Sequence, residues 1–498
     1  MGGWPGRDEL TAWRRELEGD WYADTPYLAH VLARRAGARR AASMAPRLAA
    51  FGRTVAQVVE PAVAEMERHR DLPASVPYDG VGNPVAGVSF HPAHRVAGRA
   101  VWASGLPAMA LGGGGFFEPA ALFYLLSHVG EGGQACPLVC TVGLARALAR
   151  RGPDELRRRY LERLVSTDYD GAWRGSQFLT EVQGGSDVGA NATVAEPEPD
   201  RPGAWRIRGE KWFCSVADAE LFAVTARPEG APGGTGGLGC FLVPRWSDTT
   251  PPTPNGFRIR RLKDKLGTRA LASAEIEFDG ALAWPIGRVE EGFHTAVDDL
   301  LNTSRWMNAL GSTGIMRRAV LEAGAFVRRR QAFGAPVGAQ PVVREQLAVM
   351  KAEERAALSS TMLLTGLVER LEAGTATAGE QSVHRFLVNA NKYVTSIAAT
   401  DVVHRGIELL GGNGTIEDFS PLPRLYRDAI VFESWEGTHN VLCAQVRRDC
   451  ERLGLLDPVV EMARRELASP GAAGPDGAAV GHALESVAAR LAGEVGHR

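Results

Sequence analysis

WRIRGEKWF, Trp205 to Phe213, is the stretch on which the fold turns. It is one of five runs, with ELFAVTA, LGCFLVP, GFRIRRL and SAEIEFDG, in which β-forming residues alternate or cluster between Gly, Pro and Asp turns. FRIRR and AEIEF alternate strictly, so those strands are expected to have one wet face. The five runs fall between residues 178 and 290 and predict a compact antiparallel β domain.

On either side the texture is helical. Residues 1–177 are rich in Ala, Leu and Arg, with breaks such as LPASVPYDGVGNP and LGGGGFFEP. DELRRRYLERLV, Asp154 to Val165, places Leu156, Tyr160, Leu161 and Leu164 on one face with charge opposite, as a surface helix does. Gly112 to Gly115 lacks the GxGxxG form and a preceding strand, and reads as a loop. Over 291–454 the helices are longer. Trp306, Leu310, Ile315, Met316, Val320, Ala323 and Val327 step by three and four, as do Val343, Leu347, Met350, Leu358 and Met362. A helical bundle with broad apolar faces is expected, suited to subunit packing. Residues 455–498 hold SPGAAGPDGAAVG, read as a flexible linker, and a short helical tail. The whole is an α+β chain in the order helical, β, helical.

Global properties narrow the function classes. The chain has 498 residues, 45% hydrophobic and 23% charged, and a net charge of −2 that gives no pull toward nucleic acid or anionic membrane. No apolar run approaches the roughly 18–20 residues of a membrane span. MGGWPGRDEL shows no signal-peptide pattern, and Gly6 stands where a myristoylation signal needs Ser or Thr. The six cysteines show neither a CxxC pair nor metal-ligand spacing, so no metal is expected. Cys136 and Cys140, one helical turn apart, read as small buried residues of a reduced, cytoplasmic protein.

Five short motifs carry chemistry. In FLTEVQGGSDV, Phe178 to Val188, Thr180 and Ser186 bracket a turn at Gly184 and Gly185. Hydroxyls and bare amides there can hold the polar edge of a heterocycle or a phosphate. In EKWFCSVADAE, Trp212 and Phe213 offer a flat face beside Ser215, although such a pair also suits a core. In RRRQAFGAPVGAQP, Arg330 ends a helix where it can pair with a pyrophosphate or be solvated. In ELLGGNGTIED, Gly411, Gly412 and Gly414 strip side chains from a turn that a phosphate can approach, or that merely caps a helix. Last, SWEGTHN holds Glu436, with Glu433 three residues before it and Thr438 as the N-cap of a following helix.

In order and spacing, LTE-x2-GGSDV, KWFCS, KDKLGTR, RxxFG-x5-Q, LLGGNG, PRLYRDA and WEGT resemble the acyl-CoA dehydrogenase superfamily over residues 85–450. FHPAH, CPLVCT, QGGSDV and PRLYR look like its alkylation-response, AidB-like branch. The resemblance implies an N-terminal helical domain, a middle β domain and a C-terminal bundle, with FAD in the cleft between the last two. Phe178, Leu179, Thr180, Gly185, Ser186, Trp212, Phe213 and Ser215 match flavin-contacting positions. Trp435, Gly437, Thr438 and Asn440 match the segment that lines the flavin. Arg330, Phe333, Gln340, Gly411, Gly412, Asn413 and Gly414 match positions that reach the FAD of a neighbouring subunit, which implies a homotetramer, or at least a dimer. Glu436 falls on the catalytic base, and Arg448 on an active-site arginine of the branch. Thr180, Ser186, Ser215 and Arg448 are carried over as substrate contacts. Glu433 matches no catalytic position.

The implied activity is α,β-dehydrogenation of an acyl thioester, carried on CoA or an acyl-carrier protein. The electrons pass to an electron-transfer flavoprotein or dioxygen. Other reactions on this fold include nitroalkane oxidation, with Asp at the base, and amine hydroxylation, often with no base; Glu436 favours dehydrogenation. AidB-like proteins also raise duplex DNA binding through a basic C-terminal region. Here residues 445–498 hold seven Arg against eight carboxylates, a balance of −1, which gives phosphate neutralisation little to work with.

Overall fold

A computed structural model describes residues 6–469 and 475–496. Its N-terminal region holds helices α1 (Arg7–Glu16), α2 (Pro26–Ala36), α3 (Ala38–Thr54), α4 (Glu60–His69), α5 (Pro92–Trp102), α6 (Phe117–Leu126), α7 (Ala135–Arg151) and α8 (Asp154–Leu164). The α8 helix buries Leu156, Tyr160 and Leu164, the face its sequence marks out. A hairpin the sequence does not announce, β1 (Ala74–Tyr78) with β2 (Pro84–Ser89), interrupts these helices. Its Gly/Pro-rich turn made the segment read as loop, but β1 lies beside a strand of the middle domain.

That domain contains β3 (Gly175–Phe178), β4 (Val194–Pro197), β5 (Trp205–Ser215), β6 (Leu221–Pro228), β7 (Gly239–Pro244), β8 (Phe257–Leu262) and β9 (Ser273–Pro285). The order β6-β4-β5-β9-β7 closes on itself because β7 also pairs with β6, so five strands make a barrel to which β3 and β8 attach. Closure leaves no free edge between these five strands. Most pairings are antiparallel, but β3 and β4 both run parallel to β6. WRIRGEKWFCS is β5, paired with β9 from Trp205↔Ala283 to Ser215↔Ser273. In β8 alternation holds: Phe257 and Ile259 are buried and Arg258 and Arg260 exposed. In β9 it does not give a wet face at Glu275, which is buried beneath Arg261 and Lys263, at 2.8 and 2.9 Å.

The C-terminal region holds α9 (Gly292–His294), α10 (Asn302–Arg329), a minimal ribbon of β10 (Gln331–Ala332) and β11 (Ala335–Pro336), α11 (Pro341–Glu372), α12 (Ala378–Leu410), α13 (Leu422–Ser434), α14 (His439–Leu453), α15 (Leu456–Leu467) and α16 (Pro475–Gly496). The α10 helix is buried on nearly every side, so it is the bundle's central rod rather than an amphipathic surface helix. Of the expected linker, residues 470–474 lie outside the described residues, and Pro475 to Gly481 belong to α16. Ala-rich composition gives that segment helix propensity despite its glycines.

Side chains of PRLYRDA lock the regions together. Both Glu60 oxygens of α4 accept from Arg424, at 2.7 and 2.9 Å. Asp428 accepts the Thr268 N–H at 2.6 Å and the Glu131 N–H at 3.0 Å. One carboxylate thus joins the helical N-terminal region, the barrel and α13, and the barrel end of the α13–α14 connection has a fixed place.

Candidate active site

The connection between α13 and α14 is only four residues, Trp435 to Thr438, and it must reverse tightly. Glu436 at φ 58° and Gly437 at φ 105° both lie in the left-handed region. Glycine adopts this readily, whereas a glutamate there carries strain that surrounding contacts must offset. Arg305 of α10 donates through Nε to the Glu436 carbonyl at 2.9 Å. Lys392 of α12, fully buried, donates to the carbonyls of Glu433 and Gly437, both at 2.9 Å. Trp435 packs on Phe432 with ring centroids 4.7 Å apart and the planes tilted by 32°, and its Nε1 donates to Asn308. Thr438 sits at the N-cap of α14, though its side chain caps no amide.

The turn aims the Glu436 carboxyl into a cavity of about 30 Å³ whose walls include Phe123, Cys136, Cys140, Met307, Phe432 and Trp435. Ser304 and Asn308 are the polar side chains in otherwise apolar walls. Burial pushes the Glu436 carboxyl up to about 7, against the opposing pull of Arg305, Lys392 and the Gln177 amide. Gln177 of β3 reaches it from the barrel, with Nε2 at 3.4 Å from Oε1 and 2.8 Å from the Ser304 hydroxyl. The Cys136 and Cys140 sulfurs lie 3.8 Å apart on α7 and face the same cavity. Their mutual contact, together with burial, pushes the Cys136 thiol well up, so it stays protonated. Glu433 points elsewhere: the Thr400 hydroxyl donates to it and His439 lies 3.7 Å away. A carboxyl with this titration, among mostly apolar walls, has the property a general base needs to work near neutrality.

Next to the cavity stands the Phe178–Val188 loop, and an internal ion pair fixes it. Lys211, fully buried within the barrel, lies 2.6 Å from Glu181 and also donates to the Asn191 side chain at 3.0 Å and the Leu179 carbonyl at 3.3 Å. Glu181 in turn accepts the Ala192 and Thr193 amides at 2.6 and 3.2 Å. The Trp212 N–H donates to the Thr180 carbonyl at 2.9 Å, tying loop to β5. Gly185 is packed so closely that a Cβ there would lie 2.8 Å from the Thr180 hydroxyl. Ser215 shares a hydrogen bond of 2.9 Å with Ser273. Lys263 sits 3.4 Å above the centre of the Trp212 ring, while Phe213 is 52% exposed and so is not a core residue.

Other sequence candidates are placed less directly. The Phe178 ring turns into the barrel core against Phe222, 5.0 Å between centroids, and Leu179 is buried, so any cofactor contact from Phe178 is through its backbone. Ser186 and Asn440 are exposed. Arg448 does not line the cavity: its guanidinium forks onto Asp449 at 2.9 and 3.0 Å. Arg330 lies 3.7 Å from Glu9 of α1, and Phe333, at φ 54°, is 96% exposed. Gln340 is the N-cap position of α11, and Gly411 to Gly414 form a short 3-10 turn after α12. None of these seven residues lines the cavity. Sequence reasoning missed Gln177, Arg305 and Lys392. Their signal was faint: a Lys inside an apolar helix, in a chain with only five Lys.

Among the described residues no helix is long and apolar enough to cross a membrane, and no three His, Cys, Asp or Glu side chains group as metal ligands. The C-terminal arginines face carboxylates: Arg447 pairs with Glu451, Arg464 with Glu485 and Arg465 with Glu461, at 2.7–3.0 Å.

Comparison with known proteins agrees with this architecture. Residues 15–171 match the adaptive response protein AidB N-terminal domain, 176–281 the acyl-CoA dehydrogenase middle domain and 290–450 the acyl-CoA dehydrogenase C-terminal domain. AidB of Escherichia coli (strain K12) is 35% identical over 389 residues, 76% of this chain and 69% of that protein. Acyl-CoA dehydrogenase family member 11 of Caenorhabditis elegans is 34% identical over 321 residues, and the match covers 63% of this chain and about half, 51%, of that relative's length. The crystal structure of Caenorhabditis elegans ACDH-11 in complex with C11-CoA superposes with a TM-score of 0.83, at 29% identity, over 89% of this chain and 76% of that one. An acyl-CoA dehydrogenase from Bacillus anthracis complexed with FAD shares the fold, with a TM-score of 0.66 at 22% identity over 82% of this chain and 68% of that one. The chain belongs to the acyl-CoA dehydrogenase family of oxidoreductases, in the branch that carries the AidB N-terminal domain.

Proposed function

We propose that this chain is an FAD-dependent dehydrogenase of an acyl thioester, carried on CoA or an acyl-carrier protein, with Glu436 as the base. The observation that carries the reading is the Glu436 carboxyl, set on a left-handed turn in an apolar cavity and titrating near 7. An α C–H is far too weak an acid for a solvated glutamate. Desolvation makes the carboxylate a stronger base, and the apolar walls keep water from competing for it. The Glu436 carboxylate takes the α proton while the β hydride leaves the substrate, so a carbon–carbon double bond forms.

The residues present fit a flavin. Gly185 packs on Thr180 with no room for a side chain, which leaves the loop's amides and hydroxyls to face the cleft. Two buried polar atoms beside Glu436, Gln177 Oε1 and Asn308 Nδ2, have no partner within the protein. Thr180, Gly185, Ser186, Trp212, Phe213 and Ser215 would hold the flavin from the barrel side, and Trp435, Gly437, Thr438 and Asn440 from the bundle side. When bound, FAD supplies the acceptor for the hydride. Arg330, Phe333, Gln340 and the Gly411–Gly414 turn stand apart from this cavity, and an almost fully exposed Phe333 suits contact with a second copy. They would serve the cofactor of a neighbouring subunit in a homotetramer. An electron-transfer flavoprotein or dioxygen would then take the electrons.

Anaerobic mixing of the holoenzyme with a panel of acyl-CoA and acyl-carrier thioesters tests the reading. Flavin absorbance is expected to bleach with a matching thioester and to persist in Glu436→Gln. A variant that bleaches as fast as wild type removes Glu436 as the base.

A further inference from the structure

Arg305 and Lys392 come from different helices, α10 and α12, and both are buried. Neither is held by a carboxylate. Lys392 spends two of its three N–H donors on the carbonyls of Glu433 and Gly437, each at 2.9 Å. Arg305 spends Nε on the Glu436 carbonyl at 2.9 Å and Nη1 on the Asn389 and Gln445 side-chain oxygens at 2.7 and 3.3 Å. The three backbone acceptors all belong to the end of α13 and the reversal before α14, where Glu436 holds a left-handed conformation that a glutamate does not favour alone. Two desolvated cations are costly to bury, and bonding them to carbonyls instead of neutralising partners leaves their charge free to act on the nearby Glu436 carboxylate.

We infer that Arg305 and Lys392 are the positioning residues of the Glu436 base: together they grip the carbonyls of residues 433, 436 and 437 and hold the turn that aims the carboxylate into the cavity. The inference rests on the reading of Glu436 as the base and adds a division of labour. Arg305 supplies the stronger charge pull on the carboxylate and, in addition, one directed bond to the residue that carries it. Lys392 supplies charge as well, as a buried point cation close to that carboxylate. The other polar groups around Glu436 are the Gln177 amide from β3, the Cys136 and Cys140 thiols from α7, and the Ser304 hydroxyl and Asn308 amide from α10, none of them a carboxylate, Lys or Arg.

The test compares wild type with Lys392→Met, Lys392→Arg, Arg305→Lys and Glu436→Gln, all as holoenzyme. The protonated-carboxyl infrared band that is absent in Glu436→Gln is followed against pH without substrate. Flavin reduction by butyryl-CoA is followed in parallel. Lys392→Met is expected to move the carboxyl titration up by about one pH unit or more, roughly fivefold less ionised base at pH 7. Lys392→Arg, which keeps a cation, is expected to restore it. Arg305→Lys is expected to leave the titration in place yet slow flavin reduction on the order of 10²-fold, with KM within about threefold. Wild-type titration in Lys392→Met, or wild-type reduction in Arg305→Lys, overturns the inference. Should Lys392→Met not fold, the Arg305→Lys rate and KM decide it. If Glu436→Gln bleaches flavin like wild type, the base assignment falls, while the infrared titration still shows whether Lys392 governs this carboxyl.

Discussion

Gln177, on β3 at the side of the barrel, places its amide 3.4 Å from the Glu436 carboxylate, 259 residues further along the chain. The same amide nitrogen donates to Ser304 at 2.8 Å, so one side chain spans barrel, α10 and the α13–α14 turn. A neutral donor to a carboxylate favours the charged form and opposes the upward push of burial. Gln177→Leu removes that donor and is expected to shift the rising limb of the kcat/KM pH profile upward from about 7. A long bond contributes less than a full charge, so the shift should be smaller than that of Lys392→Met. Stopped-flow flavin reduction across pH measures both; an unmoved limb in Gln177→Leu would show that the contact is sterically close but energetically silent.

Glu436 also links function to stability. Its carboxyl titrates near 4.5 when solvated and near 7 in the folded protein, because burial disfavours the charge. Below pH 4.5 both forms are protonated and the residue contributes nothing. Through the window from 4.5 to 7 the unfolded chain ionises first, and above 7 folding bears the whole penalty, about 3 kcal/mol. Glu436→Gln is therefore expected to raise the thermal midpoint by a few degrees at pH 8 and to leave it unchanged at pH 4. Calorimetry at the two pH values checks the sign; equal shifts at both would point to packing rather than charge.

The barrel carries the opposite case, a charge the fold needs. Lys211 and Glu181, 2.6 Å apart, are buried together and anchor the Phe178–Val188 loop. Lys211→Met leaves the Glu181 carboxylate without its counter-ion, a loss expected to cost about 3–5 kcal/mol. Lys211→Met with Glu181→Gln removes both charges and should recover much of that loss. Denaturant titration of the two singles and the double measures the coupling. Flavin content should track the loop, falling in Lys211→Met and returning in part in the double variant.

What the sequence made legible follows from range. Strand runs such as GFRIRRL, the surface face of α8 and the helix start at Thr438 are set by neighbours a few residues apart, and each appears in the structure. Glu436 stood out because its motif is local too. Lys392, Arg305 and Gln177 act on it from 44 or more positions away in the chain, and nothing near them in sequence announces the contact. The same blindness hid the inward turn of Phe178 and the pairing of Arg448 with its own neighbour Asp449, since a motif position does not state which way a side chain faces. The β1–β2 hairpin was missed for a different reason: β1 is exposed along its length and β2 buries only Ala86 between half-buried residues, so neither carries an alternating pattern to read.

With Glu436 as the proposed base, the walls around it bear on which acyl group can fit. Beside Glu436 lies only about 30 Å³ of free space, bounded by Phe123 and Met307 among others. Beyond the reacting carbons a chain of more than a few methylenes must displace these side chains, which pack into the core of the N-terminal helices and α10. A methylene that does not fit is worth about 1–3 kcal/mol in discrimination, or 10- to 200-fold. Butyryl-CoA is accordingly expected to exceed octanoyl-CoA in kcat/KM by about tenfold or more. Met307→Ala extends the space along the bundle side and should narrow or invert that ratio. It is also expected to lower stability by about 2–5 kcal/mol, as large-to-small core changes do. Because the comparison is a ratio of two substrates on one protein, lost stability cancels from it. A ratio unchanged in Met307→Ala would place the limit on acyl length at another wall of the cavity.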